Sequence, residues 1–145
     1  ALKNNVETRR QALKHLKDGG AIIIFPAGAI SLAPKIFGAA FDVEWKTFAA
    51  KLALQPDTTT VPFYFEGGNS TLFQLARKIS LTLGYSLMFR EICRRMGTGL
   101  TVTMRAPVQA ADLSALPDRI AVTDYLRQRT YNGSAIAPKC NRSAR

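Results

Sequence analysis

Val6, Leu13 and Leu16 recur at helical intervals near the start of the chain, and Gly19-Gly20 stops the helix they predict. Asn4 followed by Glu7 has capping-box spacing at its head. Residues 21–25 (Ala21-Ile22-Ile23-Ile24-Phe25) then form a short, continuous apolar run bounded by Gly and Pro. Such a run suits a strand buried on both faces, as in a parallel sheet. It ends in the turn Pro26-Ala27-Gly28-Ala29. Phe41, Trp45, Phe48, Ala49 and Leu52 share one face of a second predicted helix, which Pro56 and Asp57 break. Residues 58–65, rich in β-branched and aromatic side chains, read as a second buried strand, with Pro62 marking a sheet edge or a strand end.

Farther on, residues 66–70 read as a loop closing on a helix N-cap, followed by an apolar helix carrying Leu72, Phe73, Leu75, Ala76 and Ile79. Another helix is predicted over 83–96, ending at Gly97. Leu100, Val102 and Met104 alternate with Thr101, Thr103 and Arg105, the period-two pattern of a half-buried strand. Residues 110–116 look irregular, and a last helix runs from Pro117 to Thr130. Residues 132–145 show little periodicity and read as a loose tail. Helices alternating with short buried strands predict one α/β layer structure over 1–131, with no internal repeat and no linker.

Composition narrows the function classes. The 145 residues are 47% apolar and 21% charged, a globular balance. Lys and Arg number 20 against 10 acids, a formal net charge of +10. That excess calls for an anionic partner: nucleic acid, an anionic membrane surface or a phosphorylated substrate. Two cysteines, Cys93 and Cys140, are too few for a disulfide scaffold or a four-Cys zinc site, and one histidine, His15, excludes a His-rich metal centre. The longest charge-free run in the first half, residues 19–34, is broken by Gly20, Pro26 and Gly28, so no bilayer span is predicted there. The polar opening does not read as a signal peptide.

The turn after residues 21–25 is the most informative chemistry. A buried strand that delivers a Pro/Gly turn at its C-terminal end is where α/β folds place ligands. Gly28 lets backbone N–H groups approach a ligand oxygen, and Ser31 adds a hydroxyl. An ordinary turn after a strand fits the same spacing, since no Walker or Rossmann glycine pattern is present.

Phe25-Pro26-Ala27-Gly28-Ala29-Ile30-Ser31 resembles the Phe-Pro-Glu-Gly-Thr-Arg-Ser block of the glycerophospholipid (lysophospholipid) acyltransferase superfamily. Thr60-Val61-Pro62-Phe63-Tyr64 is similar to that family's later Val-Pro block. Residues 65–73 resemble its hemolysin-like, ornithine-lipid acyltransferase branch. The resemblance covers roughly residues 4–108, with the blocks in order.

It implies a mainly parallel sheet flanked by helices, here as the C-terminal part of one domain. The implied reaction passes an acyl group from a thioester on coenzyme A or acyl carrier protein to a hydroxyl of a lysolipid or glycerophosphate-type acceptor. No cofactor is implied, and the setting would be peripheral, on the cytoplasmic face of a membrane.

In that family a His-x4-Asp pair serves as the general base and its orienting acid. Here Gly20 stands five positions after His15, so the pair is missing, as is the family's Gly-x-x-Phe-[Ile/Val]-x-Arg block. The economical expectation is a C-terminal part of a longer acyltransferase, inactive by itself; a short non-catalytic protein is the competing one. By resemblance, Phe25, Pro26, Ala27, Gly28 and Ser31 shape the acceptor side of the cleft, and Pro62 positions a neighbouring strand end. Ala27 replaces the family's Glu and Ile30 its Arg. An isoleucine cannot bind an acceptor phosphate, which favours an acceptor without one or a phosphate held elsewhere; Lys35 is a candidate substitute.

Arg77, Lys78, Arg90, Arg94 and Arg95 make a basic stretch that fits either anionic lipid headgroups or a solvated face. Leu83, Tyr85, Leu87, Met88 and Phe89 suit either lipid insertion or a core. Cys93 has no histidine or acid positioned to make it a nucleophile. Asn132 and Asn141 open glycosylation sequons with nothing to imply secretion. The alternative function is a basic module binding anionic lipid or nucleic acid without catalysis. Nucleic acid is the less favoured partner, because the cations are spread along the chain and no stacking platform of interleaved aromatics is present.

Overall fold

Short antiparallel pairs and helices, not a parallel sheet, organise this chain. In the computed structural model, residues 2–31, 33 and 40–131 are described, the side chains of 2–5 excepted. Lys35, Cys140, both sequons and the tail expected at 132–145 lie outside them. Among the described residues the elements are α1 (Leu2–Lys17), α2 (Phe48–Ala53), β1 (Thr59–Thr60), β2 (Phe63–Phe65), α3 (Thr71–Ile79), α4 (Leu81–Ser86), α5 (Met88–Arg95), β3 (Val102–Met104), β4 (Val108–Gln109), α6 (Ala110–Ser114) and α7 (Arg119–Tyr131).

The strands make two separate two-stranded sheets, β1 with β4 and β2 with β3. β1 and β4 are antiparallel, Thr59 opposite Gln109 and Thr60 opposite Val108. β2 and β3 are flanked by Glu66 N donating to Thr101 O (3.0 Å) and Arg105 N donating to Pro62 O (2.9 Å), an antiparallel register. The expected mainly parallel sheet flanked by helices is therefore corrected: the described residues are about half helical, with two small antiparallel ladders.

The physical reason lies in residues 21–25. A strand buried on both faces needs a neighbour at each edge to satisfy its backbone groups. Each strand among the described residues is paired with another, and 21–25 joins none of them. Ile23 is 89% exposed and Phe25 72%. The segment predicted as one strand over 58–65 is likewise two, because Pro62 has no N–H to continue a ladder.

The chain divides into two compact units. The first holds the described parts of 1–28, 45–62 and 104–130. Its core joins Ala50 and Ala53 of α2, Val108 of β4, Leu113 of α6, and Val122 and Leu126 of α7, with Trp45, Leu54, Leu116 and Tyr125 packed against it. Val122 and Leu126 are four apart and so share one face of α7. Asp118 caps that helix, its carboxylate accepting from Ala121 N at 2.7 Å. Residues 110–114, expected to be irregular, form α6 and place Leu113 in the core. The second predicted helix is only α2; Trp45 precedes it as a packing residue, and Phe41 lies in the other unit. In α1 the helix begins before Asn4, so the capping-box reading fails; Glu7 instead accepts from Arg10 Nε at 3.0 Å.

The second unit holds the described parts of 29–44 and 63–103, and Tyr131. Ser70 caps α3 as expected, its hydroxyl accepting from Phe73 N at 3.2 Å. The helix predicted over 83–96 is two, α4 and α5, joined at Leu87, and Gly97 ends α5 at φ +75°. α3 and α4 pack closely: the side-chain stem of Arg77 fills the space a Cβ on Gly84 would need. Tyr131 meets Tyr64 edge-on and Phe41 at a tilt, ring centroids 5.6 and 6.2 Å away.

Leu113 is fully buried at the centre of the first core. Leu113→Ala is expected to lower stability by about 2–5 kcal/mol. The checking measurement is the urea midpoint followed by Trp45, the single tryptophan, whose ring packs on that core. An unmoved midpoint would show that the core does not hold this unit.

Candidate functional site around the Gly28 turn

A turn is present, one position earlier than the expected 26–29, although the strand before it is not. Gly28 N donates to Phe25 O at 3.1 Å and closes it. Gly28 has φ +60°, a left-handed conformation that favours glycine. Ala27 is buried, and Phe25 and Gly28 are exposed. Lys46 N donates to Pro26 O at 3.1 Å, tying the turn to the segment that enters α2. The same lysine's Nζ lies 3.5 Å from where a Cβ on Gly28 would stand. A cationic side chain thus covers the one position in the turn that lacks a side chain of its own.

The other predicted residues bond to groups outside this turn. Ser31 belongs to the second unit, where its hydroxyl donates a hydrogen bond to Asp42 Oδ1. Asp42 N donates in turn to the Tyr131 hydroxyl at 3.4 Å. Pro62 is buried in the first unit, and its carbonyl receives Arg105 N. Phe25, Pro26, Ala27 and Gly28 therefore form one turn, and Ser31 and Pro62 have separate partners. His15 is exposed near the end of α1, with Gly20 backed against its imidazole. Among the described residues, no three His, Cys, Asp or Glu side chains gather as a metal site.

Three further residues escaped the sequence reading. Lys46 sits 18 positions after Gly28, and nothing in the spacing points back to the turn. Asp42 was equally silent. Glu91 did leave a signal, as the lone acid among Arg90, Arg94 and Arg95. It is buried, accepting from Ser70 N at 2.7 Å and from the Ser70 hydroxyl, with Arg94 at 3.8 Å. Burial pushes its carboxyl up, but the two bonds from Ser70 and the charges of Arg94 and Arg90 together outweigh that and hold it below its ordinary value.

Comparison with family models, with curated proteins and with solved structures finds no match for this chain.

Because the folded-state pKa of Glu91 is depressed, its contribution to stability is present at neutral pH and lost as pH falls through and below the usual carboxylate range, about 4. Glu91→Gln is expected to cost about 1–3 kcal/mol near neutral pH, where Ser70 keeps a weaker partner. The gap between variant and parent should close on acidification. Urea unfolding followed by circular dichroism at both pH values checks this, and a constant gap would contradict it.

Proposed function

We propose that this chain forms the acceptor-binding part of an acyltransferase. The full-length protein would carry an acyl group from a thioester, on coenzyme A or acyl carrier protein, to a hydroxyl of a lysolipid or glycerophosphate-type acceptor. The acceptor oxygen forms the new ester bond, the carbon–sulfur bond breaks, and the hydroxyl proton passes by way of a general base to the departing sulfur, which leaves as the thiol. His15 has no Asp at the required spacing, so that base is not assigned to these residues, and the chain alone should turn over no thioester.

The observation that carries the reading is the Lys46 ammonium over the Gly28 turn. The family block has an arginine where this chain has Ile30, and Lys46 returns a cation to the same turn from a different place in the sequence. An acceptor phosphate would meet that ammonium beside the exposed backbone of Gly28. The working location is peripheral, at the cytoplasmic face of a membrane. Among the described residues, no helix is long and apolar enough to cross one.

Two variants test the assignment. Lys46→Ala should weaken binding of a short-chain lysophosphatidate to the chain by about tenfold, read by isothermal titration calorimetry. Gly28→Val places a β-branched residue at φ +60° and should cost about 1–2 kcal/mol of local strain. It should also abolish acyl transfer by the full-length protein while the circular dichroism spectrum is kept. Unchanged lysophosphatidate affinity in Lys46→Ala would remove the assignment of Lys46, and unchanged turnover in Gly28→Val would remove the turn.

A further inference from the structure

Helix α5 is inside out. At ~100° per residue, Phe89, Ile92, Cys93 and Met96 fall on one stripe of the helix and its C-cap, at positions i, i+3, i+4 and i+7. In a water-exposed helix that stripe faces the core. Here all four are exposed, Phe89 at 74% and Met96 at 71%, while the opposite side carries Glu91 into the interior to meet Ser70. Arg90 and Arg94 flank the stripe on one side and Arg95 on the other. The neighbouring α3 repeats the pattern: Leu72, Leu75 and Ile79 are exposed at i, i+3 and i+7, with Phe73 and Ala76 buried.

Charge identifies what covers these stripes. Between residues 71 and 96 there are five cations, Arg77, Lys78, Arg90, Arg94 and Arg95, and the sole acid is the buried Glu91. Arg77 is partly buried, so the outward charge of this stretch comes from the exposed Lys78, Arg90, Arg94 and Arg95 and is positive. We infer that the second unit docks on an anionic lipid surface through α3–α5, with α5 lying in the interfacial plane. Its stripe reaches the acyl boundary, and Arg90 and Arg94 stay at headgroup level. Arg95 is tied to the loop before α3 by its bond to Gly68 O at 2.8 Å. α5 is only eight residues long, so it can lie in the interface but not span it. This deepens the peripheral-membrane part of the reading above and rests on no acyl-transfer step.

The experiment uses the full chain and sucrose-loaded vesicles of phosphatidylcholine alone or equimolar with phosphatidylglycerol. The chain should sediment with the anionic vesicles and be released by salt. Phe89→Asp should weaken that binding about tenfold, and Arg90→Glu should weaken it on anionic vesicles. Both sites are exposed, and circular dichroism checks that each variant keeps its fold.

As a second readout, an environment-sensitive fluorophore on Cys93, in a Cys140→Ser background, should shift to the blue on anionic vesicles. Parent-like binding by Phe89→Asp, or an unshifted Cys93 label, overturns the proposal. So does a dimer in sedimentation velocity that Phe89→Asp dissolves, which would assign the stripe to a second copy. RNA binding that Phe89→Asp abolishes would assign it to nucleic acid, with the same result. No thioester is present, so failure here leaves the Lys46 reading untouched, and loss of lysophosphatidate binding leaves this assay unchanged.

Discussion

A carboxylate taken out of water must be met by donors, and Glu91 is met by the backbone and hydroxyl of Ser70. Ser70 is at the same time the cap of α3, so one residue closes the start of one helix and receives the inward side of another. With Glu91 turned in, helical periodicity turns Phe89, Ile92 and Met96 out. The exposed apolar stripe follows from the polar contact behind it. In the same unit α3 and α4 approach closely where Gly84 leaves room for Arg77, and Leu72, Leu75 and Ile79 of α3 are exposed as well.

The first unit rests on ordinary burial. Small residues of α2, Ala50 and Ala53, let the larger Val122 and Leu126 of α7 close over them, and β4 and α6 supply Val108 and Leu113. The Gly28 turn is tied into this unit by one backbone bond from Lys46, whose ammonium then lies over the turn. A backbone that is already closed and a cation already in place reduce the ordering a bound anion would require.

Local signals were legible in the sequence and partner-dependent ones were not. α3 and the Ser70 cap followed from spacing and cap chemistry, which depend only on near neighbours; the last helix is present, but it starts at Arg119 behind the Asp118 cap, so Pro117 precedes it instead of occupying its first turn. The run at 21–25 had strand chemistry, but a ladder is a property of two segments, and among the described residues no second segment pairs with it. Alternation at 102–104 correctly marked β3, yet Val102 and Met104 are exposed and Thr103 is the half-buried residue. Period two locates a strand without saying which face is covered. The turn of the candidate site was readable from Pro26 and Gly28; Lys46 and Asp42 arrive from distant positions and leave no local trace.

The pairing of β1 with β4 has a consequence for how the chain reaches this state. Thr59 meets Gln109 across 50 residues, and nearly the whole helical stretch of the second unit lies inside that loop. Contacts of α3 with α4 and of α4 with α5 are local and quick to form, whereas closing a loop of that length carries a larger entropic barrier. During synthesis the helices between the two strands are complete before β4 has emerged. The first unit therefore waits on the last part of the described chain, and its unpaired β1 edge is uncovered in the interval.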